Sequence, residues 1–122
     1  MSGLNEECGV FGIFNTEDAS VYTVLGLHAL QHRGQEGAGV VTTDGNKFYT
    51  HFENGHVGDN FNKPSVLNEL PGNTAIGHVR YSTVAEKKSR DFQPLVADFG
   101  FGKLALAHNG NLTNADTLRK EL

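Results

Sequence analysis

Residues 8–14 read CGVFGIF, with the only cysteine of the chain set directly before a glycine and an apolar run. Val10 to Phe14 is short, apolar and rich in strand-forming residues, so it reads as a buried strand. Just beyond it, Asn15, Thr16 and Asp18 supply turn and N-cap chemistry, and a helix should follow. In ASVYTVLGLHALQHRG, residues 19–34, Val21, Val24, Leu25, His28 and the Leu27/Leu30 pair recur at three and four, with Gly34 as the expected stop. A strand opened by cysteine and followed at once by a helix leaves three readings for Cys8: buried filler, metal ligand or nucleophile.

Further along, Gly39 to Thr43 is strand-like, and Asp44-Gly45 is a strong hairpin signal that returns the chain through NKFYTHF. A loop around ENGHVGDN leads to a short helix after Pro64-Ser65, ended by Pro71-Gly72. TAIGHVRYST, residues 74–83, is the next strand, and KKSRDFQP is a polar connection. LVADFGFGKLALAHNG reads as a second pair of strands, and Asn114 should cap a last helix. That helix has no capping glycine or proline, so the expectation is a chain cut within a larger domain. Strands outnumber helices and come in antiparallel pairs, which makes the class α+β.

The 122 residues, 38% hydrophobic and without repeats, suit one globular unit at most. The net charge of -4 and the scattered basic residues argue against nucleic acid as a partner. No apolar stretch approaches the roughly 20 residues of a membrane span. MSGLNEE is polar and acidic where a signal peptide would be basic and then apolar. One cysteine cannot form an internal disulfide, and the expected setting is the cytoplasm. Glycine, at 15 of 122 residues, exceeds the usual share of about 7% and clusters at strand ends, as suits close approach of main chain to a ligand.

Three constellations could carry chemistry. Beside Cys8, the carboxylates of Glu6 and Glu7 disfavour a thiolate. Cleavage before Cys8 would remove both and expose an α-amino group with a pKa of roughly 7.7 to 8, suited to act as general base. In GHVRYST, residues 77–83, strand alternation puts His78, Arg80 and Ser82 on one face. This is either a solvated edge strand or a carboxylate grip made of an arginine fork and hydroxyls. In AHNGNLTN, residues 107–114, Asn109 and the Gly110 N–H could form an oxyanion hole, although Asn-Gly is above all a turn dipeptide. His28 and His32 are spaced four apart but lack further ligands, so a surface or packed pair is favoured over a metal site.

Taken together and in this order, CGVFGIF, LQHRGQEGAGV, GHVRYST and HNGNLTN closely resemble the glutaminase domain of the class II glutamine amidotransferases. LQHRGQEGAG and RYST resemble the amidophosphoribosyltransferases more than the sugar-phosphate aminating members. The resemblance runs from about Gly3 to Leu122 and implies an N-terminal nucleophile hydrolase fold, an αββα sandwich of which the chain supplies the first part. It implies a propeptide-like segment at residues 1–7 and a partial amidotransferase domain at 8–122. By the same resemblance Cys8 is nucleophile and carrier of the base, and Arg80 with Thr83 holds the substrate α-carboxylate. Asn109 and Gly110 would stabilise the oxyanion, with Arg33 in support. An aspartate that holds the substrate α-amino group would lie beyond these residues. The implied substrate is glutamine. Phosphoribosyl pyrophosphate, magnesium, an iron–sulfur cluster and homo-oligomer contacts would belong to the full-length parent, and no metal or cofactor is expected here. The alternative is a fragment or binding module of the same fold that turns nothing over.

Overall fold

The computed structural model describes residues 8–31, 36–54, 57, 61, 63–80, 92–108, 117, 120 and 121. Its elements run β1 (Gly9–Ile13), α1 (Ala19–Leu30), β2 (Gly37–Thr43), β3 (Phe48–Asn54), α2 (Pro64–Asn68), β4 (Thr74–Arg80), β5 (Leu95–Phe99) and β6 (Gly102–Leu106). Four strands form one antiparallel sheet in the order β1-β4-β2-β3, and β5 pairs with β6 as a separate hairpin. The mixed helix and sheet content agrees with the α+β expectation, and both hairpins fall where the turn residues put them.

The β2–β3 turn shows why Asp44-Gly45 works. Gly45 takes φ +97, a left-handed conformation that glycine adopts without a steric cost. Asp44 Oδ1 accepts from the N–H groups of Asn46 at 2.9 Å and Lys47 at 3.1 Å. Those two bonds favour the ionised carboxylate and hold its pKa below the ordinary value.

The core lies on one face of the sheet. Val24 and Leu27 of α1 meet Ala38 and Val40 of β2, Val79 of β4, and Val57, Phe61, Val66 and Leu70 from the segment around α2. The helix differs from its sequence reading. Its buried stripe is Ala19, Ser20, Thr23, Val24 and Leu27, whereas Val21, Leu25 and His28 are exposed. Close approach explains the difference. A Cβ on Gly77 would come within 2.7 Å of Thr23 Cγ2 and 2.8 Å of Leu27 Cδ1, so Thr23 and Leu27 pack directly on a strand position without a side chain. Apolar residues surround α1, and spacing alone could not choose among its faces. The described helix ends at Leu30, with Gln31 extended, while Gly34 lies outside the described residues. Asp18 occupies the N-cap position but makes no side-chain capping bond.

The β5–β6 hairpin lies against the other face of the sheet. Val41, Thr74 and Ile76 of the sheet and Leu104 and Ala105 of β6 line a cleft of about 210 Å³ between the two layers. A second cleft, of about 280 Å³, lies between Val10, Gly12 and Ile76 and the Leu106-Ala107 end of β6. Thr117, Lys120 and Glu121 are helical, and the expected cap Asn114 lies outside the described residues.

Candidate active site

Strand pairing decides which side chains share the sheet's second face. β1 and β4 pair with Gly9 opposite Val79 and Val10 opposite His78. One register step beyond Gly9–Val79, Cys8 comes level with Arg80, and directly opposed residues of an antiparallel pair project to the same face. Gly9 and Val79 belong to the α1 face, where a Cβ on Gly9 would meet Leu30 and Val79 at 3.1 Å. Alternation therefore puts Cys8, His78 and Arg80 on the face that carries the hairpin. Cys8 is half-buried and forms no disulfide.

Arg80 is held from the β2 side as well. It pairs with Gly37, and its carbonyl accepts the Glu36 N–H at 2.9 Å. Residues 77–80 of GHVRYST are thus no solvated edge: β4 lies between β1 and β2, and His78 is only 1% exposed. An interior strand with both neighbours paired fixes the position of its last residue far better than an edge would.

His78 is the main feature that sequence reasoning left outside the candidate site. Burial pushes its pKa down to about 4, against a smaller raising effect of the His108 main chain and with further lowering by the charges of His108 and Arg80. At neutral pH the ring is uncharged. Its Nε2 is buried and has no hydrogen-bond partner among the described residues. The available sequence signal was a histidine two residues from Arg80 within an apolar strand.

Gln93 also escaped the sequence reading. Its side-chain Oε1 accepts the His108 N–H at 2.8 Å. Gly39, the β2 partner of His78, makes this possible: a Cβ there would overlap the Gln93 carbonyl oxygen and approach the Phe52 ring. Gly39 lets the 92–94 segment press on the sheet, and Gln93 reaches His108. The structure thus brings Cys8, His78, Arg80 and His108 to one end of β4. Arg33, Thr83, Asn109 and Gly110 lie outside the described residues.

The metal reading of the histidines finds no support in the described residues. His28 is exposed and hydrogen-bonds through Nδ1 with Gln31 Nε2 at 2.9 Å, and His32 lies outside the described residues. Among the described residues no group of three or more His, Cys, Asp or Glu could hold a metal ion. A chain with a single cysteine cannot by itself supply the roughly four thiolates that hold an iron–sulfur cluster.

No protein-family model matches the sequence. Individual proteins do. Over 98% of its length the chain is 55% identical to the amidophosphoribosyltransferase of Rhizobium etli, of which it covers 24%. It is 53% identical over 96% of its length to a chloroplastic amidophosphoribosyltransferase of Vigna aconitifolia, again covering 24%. In three dimensions, 92% of the chain superposes with a TM-score of 0.80 and 47% identity on 24% of glutamine phosphoribosylpyrophosphate amidotransferase from B. subtilis, solved in complex with ADP and GMP. The chain belongs to the amidophosphoribosyltransferase family. It matches the N-terminal domain of those enzymes and spans about a quarter of the length of these relatives. Among the described residues, no helix is long and apolar enough to cross a membrane.

Proposed function

We propose that this chain is the glutaminase part of an amidophosphoribosyltransferase, which hydrolyses glutamine to glutamate and ammonia through a cysteinyl thioester. The observation that carries the reading is the register that sets Cys8 level with Arg80 at the shared end of β1 and β4. A nucleophile and a carboxylate-binding fork on one face can hold the two ends of a short amino-acid substrate. The family relationship supports the same reading.

The chemistry follows from residues of this chain. Removal of residues 1–7 frees the α-amino group of Cys8, which takes the thiol proton. Sγ attacks the side-chain carboxamide carbon of glutamine, and its carbonyl electrons move to oxygen. Asn109 and the Gly110 N–H stabilise that oxyanion. As the C–N bond breaks, the α-ammonium of Cys8 returns its proton to the leaving nitrogen, and ammonia departs. Water, deprotonated by the same amine, attacks the thioester carbon. Glutamate leaves and the thiol is restored. Arg80 with Thr83 grips the substrate α-carboxylate throughout, and Arg33 supports the site. The rest of the full-length protein would pass ammonia to phosphoribosyl pyrophosphate for purine synthesis, in the cytoplasm and as a homo-oligomer.

The architecture proposed for this site is the αββα sandwich. Helix α1, the four-stranded sheet and the β5–β6 hairpin supply three successive layers. Leu95, Phe99 and Leu106 alternate onto one face of the hairpin and remain exposed, as fits a layer that a further helix covers. The test is Cys8→Ala in the full-length protein. Glutamine-dependent ammonia release should fall to background while synthesis from added ammonia continues. Retained glutaminase activity would refute the nucleophile assignment.

A further inference from the structure

We infer that the space between the sheet and the β5–β6 hairpin is a binding site for a free apolar α-amino acid, with its side chain in the cleft between the layers and its charged groups on Lys103 and Asp98. Two cavities meet there. The apolar cleft of about 210 Å³ is walled by Val41, Ile76 and Ala105. A wider space of about 510 Å³ lies between the β2–β3 turn and the tip of the hairpin. Thr43, Phe48 and Lys103 line both, so the two are continuous. A dry cavity of about 150 Å³ is known to take up benzene, so the smaller cleft has room for a branched aliphatic or phenyl side chain.

The interior of the cleft offers nothing to a polar group. Its hydroxyls are already committed: Thr42 donates to the Pro71 carbonyl at 2.7 Å, Thr43 to the Lys47 carbonyl at 2.7 Å and Thr74 to Asn73 Oδ1 at 3.2 Å. A carboxamide side chain would find no free donor or acceptor there. At the mouth the situation reverses. Lys103 and Asp98 stand directly opposite each other on the hairpin, and both are exposed. Cβ atoms in such a pair are about 5 Å apart, near enough for the two charges to meet. Among the described residues, however, neither makes an ion pair or a side-chain hydrogen bond. An unpaired cation beside an unpaired anion complements a zwitterion, whose carboxylate faces Lys103 and whose ammonium faces Asp98. The site is separate from the glutaminase end of the sheet and does not rest on that reading. Thr74, which lines the cleft, begins β4 and Arg80 ends it, about 20 Å away at the usual rise of a strand.

The experiment is a ligand-observed NMR titration of the full-length protein in saturating glutamate, which keeps the Cys8–Arg80 end filled. The probes are L-leucine, 4-methylpentanoate, which lacks the amino group, and 3-methylbutylamine, which lacks the carboxylate. Leucine should bind with a dissociation constant on the order of 1 mM, as suits a ligand of this size. Each analogue should bind about 3- to 5-fold more weakly, as for one lost exposed charge contact. Lys103→Met and Asp98→Asn should each weaken leucine by the same factor, and Ala105→Leu, which fills the cleft, should abolish binding of all three probes. No leucine binding to the wild type at about 20 times that concentration overturns the inference. So does binding that either charge variant or the filled cleft leaves unchanged, or an analogue that binds as tightly as leucine. Should Ala105→Leu fail to fold, the two exposed charge variants decide alone. A protein that binds leucine in this way but releases no ammonia from glutamine defeats the glutaminase reading and leaves the site standing.

Discussion

Acidification should weaken this fold through His78 in a way that a non-titrating replacement abolishes. The ring has a folded pKa of about 4 against an ordinary value of 6.5, because burial disfavours its charged form. The unfolded chain therefore binds the proton more readily. The contribution to stability is fully present above pH 6.5 and is lost progressively as pH falls towards 4. Between pH 7 and pH 4.5 the loss from this group comes to about 2 to 3 kcal/mol, from the usual linkage relation at 1.36 kcal/mol per pKa unit. The charges of Arg80 on the same strand and of His108 both add to the penalty on a charged ring. The assay is urea denaturation of wild type and His78→Gln at both pH values. All other titrating groups are common to the two proteins and cancel in the difference. Wild type should lose about 2 to 3 kcal/mol more than the glutamine variant on acidification. Equal losses, or a His78 ring that titrates near 6.5 by NMR, would refute a buried neutral imidazole.

Three further outcomes are expected. Arg80→Lys keeps the charge but loses the planar fork, so KM for glutamine should rise with a smaller effect on kcat in steady-state glutaminase assays. Asn109→Ala should lower kcat by roughly 100- to 1000-fold with little change in glutamine binding, as for loss of one oxyanion donor. Gly72 adopts φ +127 and a Cβ there would overlap the Thr43 carbonyl, so Gly72→Ala should lower the denaturation midpoint by an amount equivalent to about 1 to 3 kcal/mol.

The elements governed by local chemistry were legible in the sequence. Asp44-Gly45 marked the β2–β3 hairpin, Pro64 marked the start of α2, and the apolar run after Cys8 marked β1, each through residues a few positions apart. Pairings between distant segments were not legible. Nothing local to GHVRYST says that β4 will lie between β1 and β2, and that interior position separates a solvated strand from the floor of a site. The inward face of α1 was misread for a related reason: its partner surface includes Gly77, and a glycine leaves no hydrophobic mark in a periodicity count. Arg80 is a candidate from the sequence because its motif carries hydroxyls and a cationic fork within a few residues. Gln93 was not, because its role depends on Gly39 and His108, both far away in the chain.

The central claim is that Cys8, made N-terminal, is the nucleophile that attacks glutamine. Its most direct test is mass spectrometry of the full-length protein after reaction with an electrophilic glutamine analogue. The account predicts an N-terminal peptide that begins at Cys8 and carries a single adduct on Sγ. An active enzyme that retains Met1 to Glu7, or an adduct on any residue other than Cys8, would contradict it.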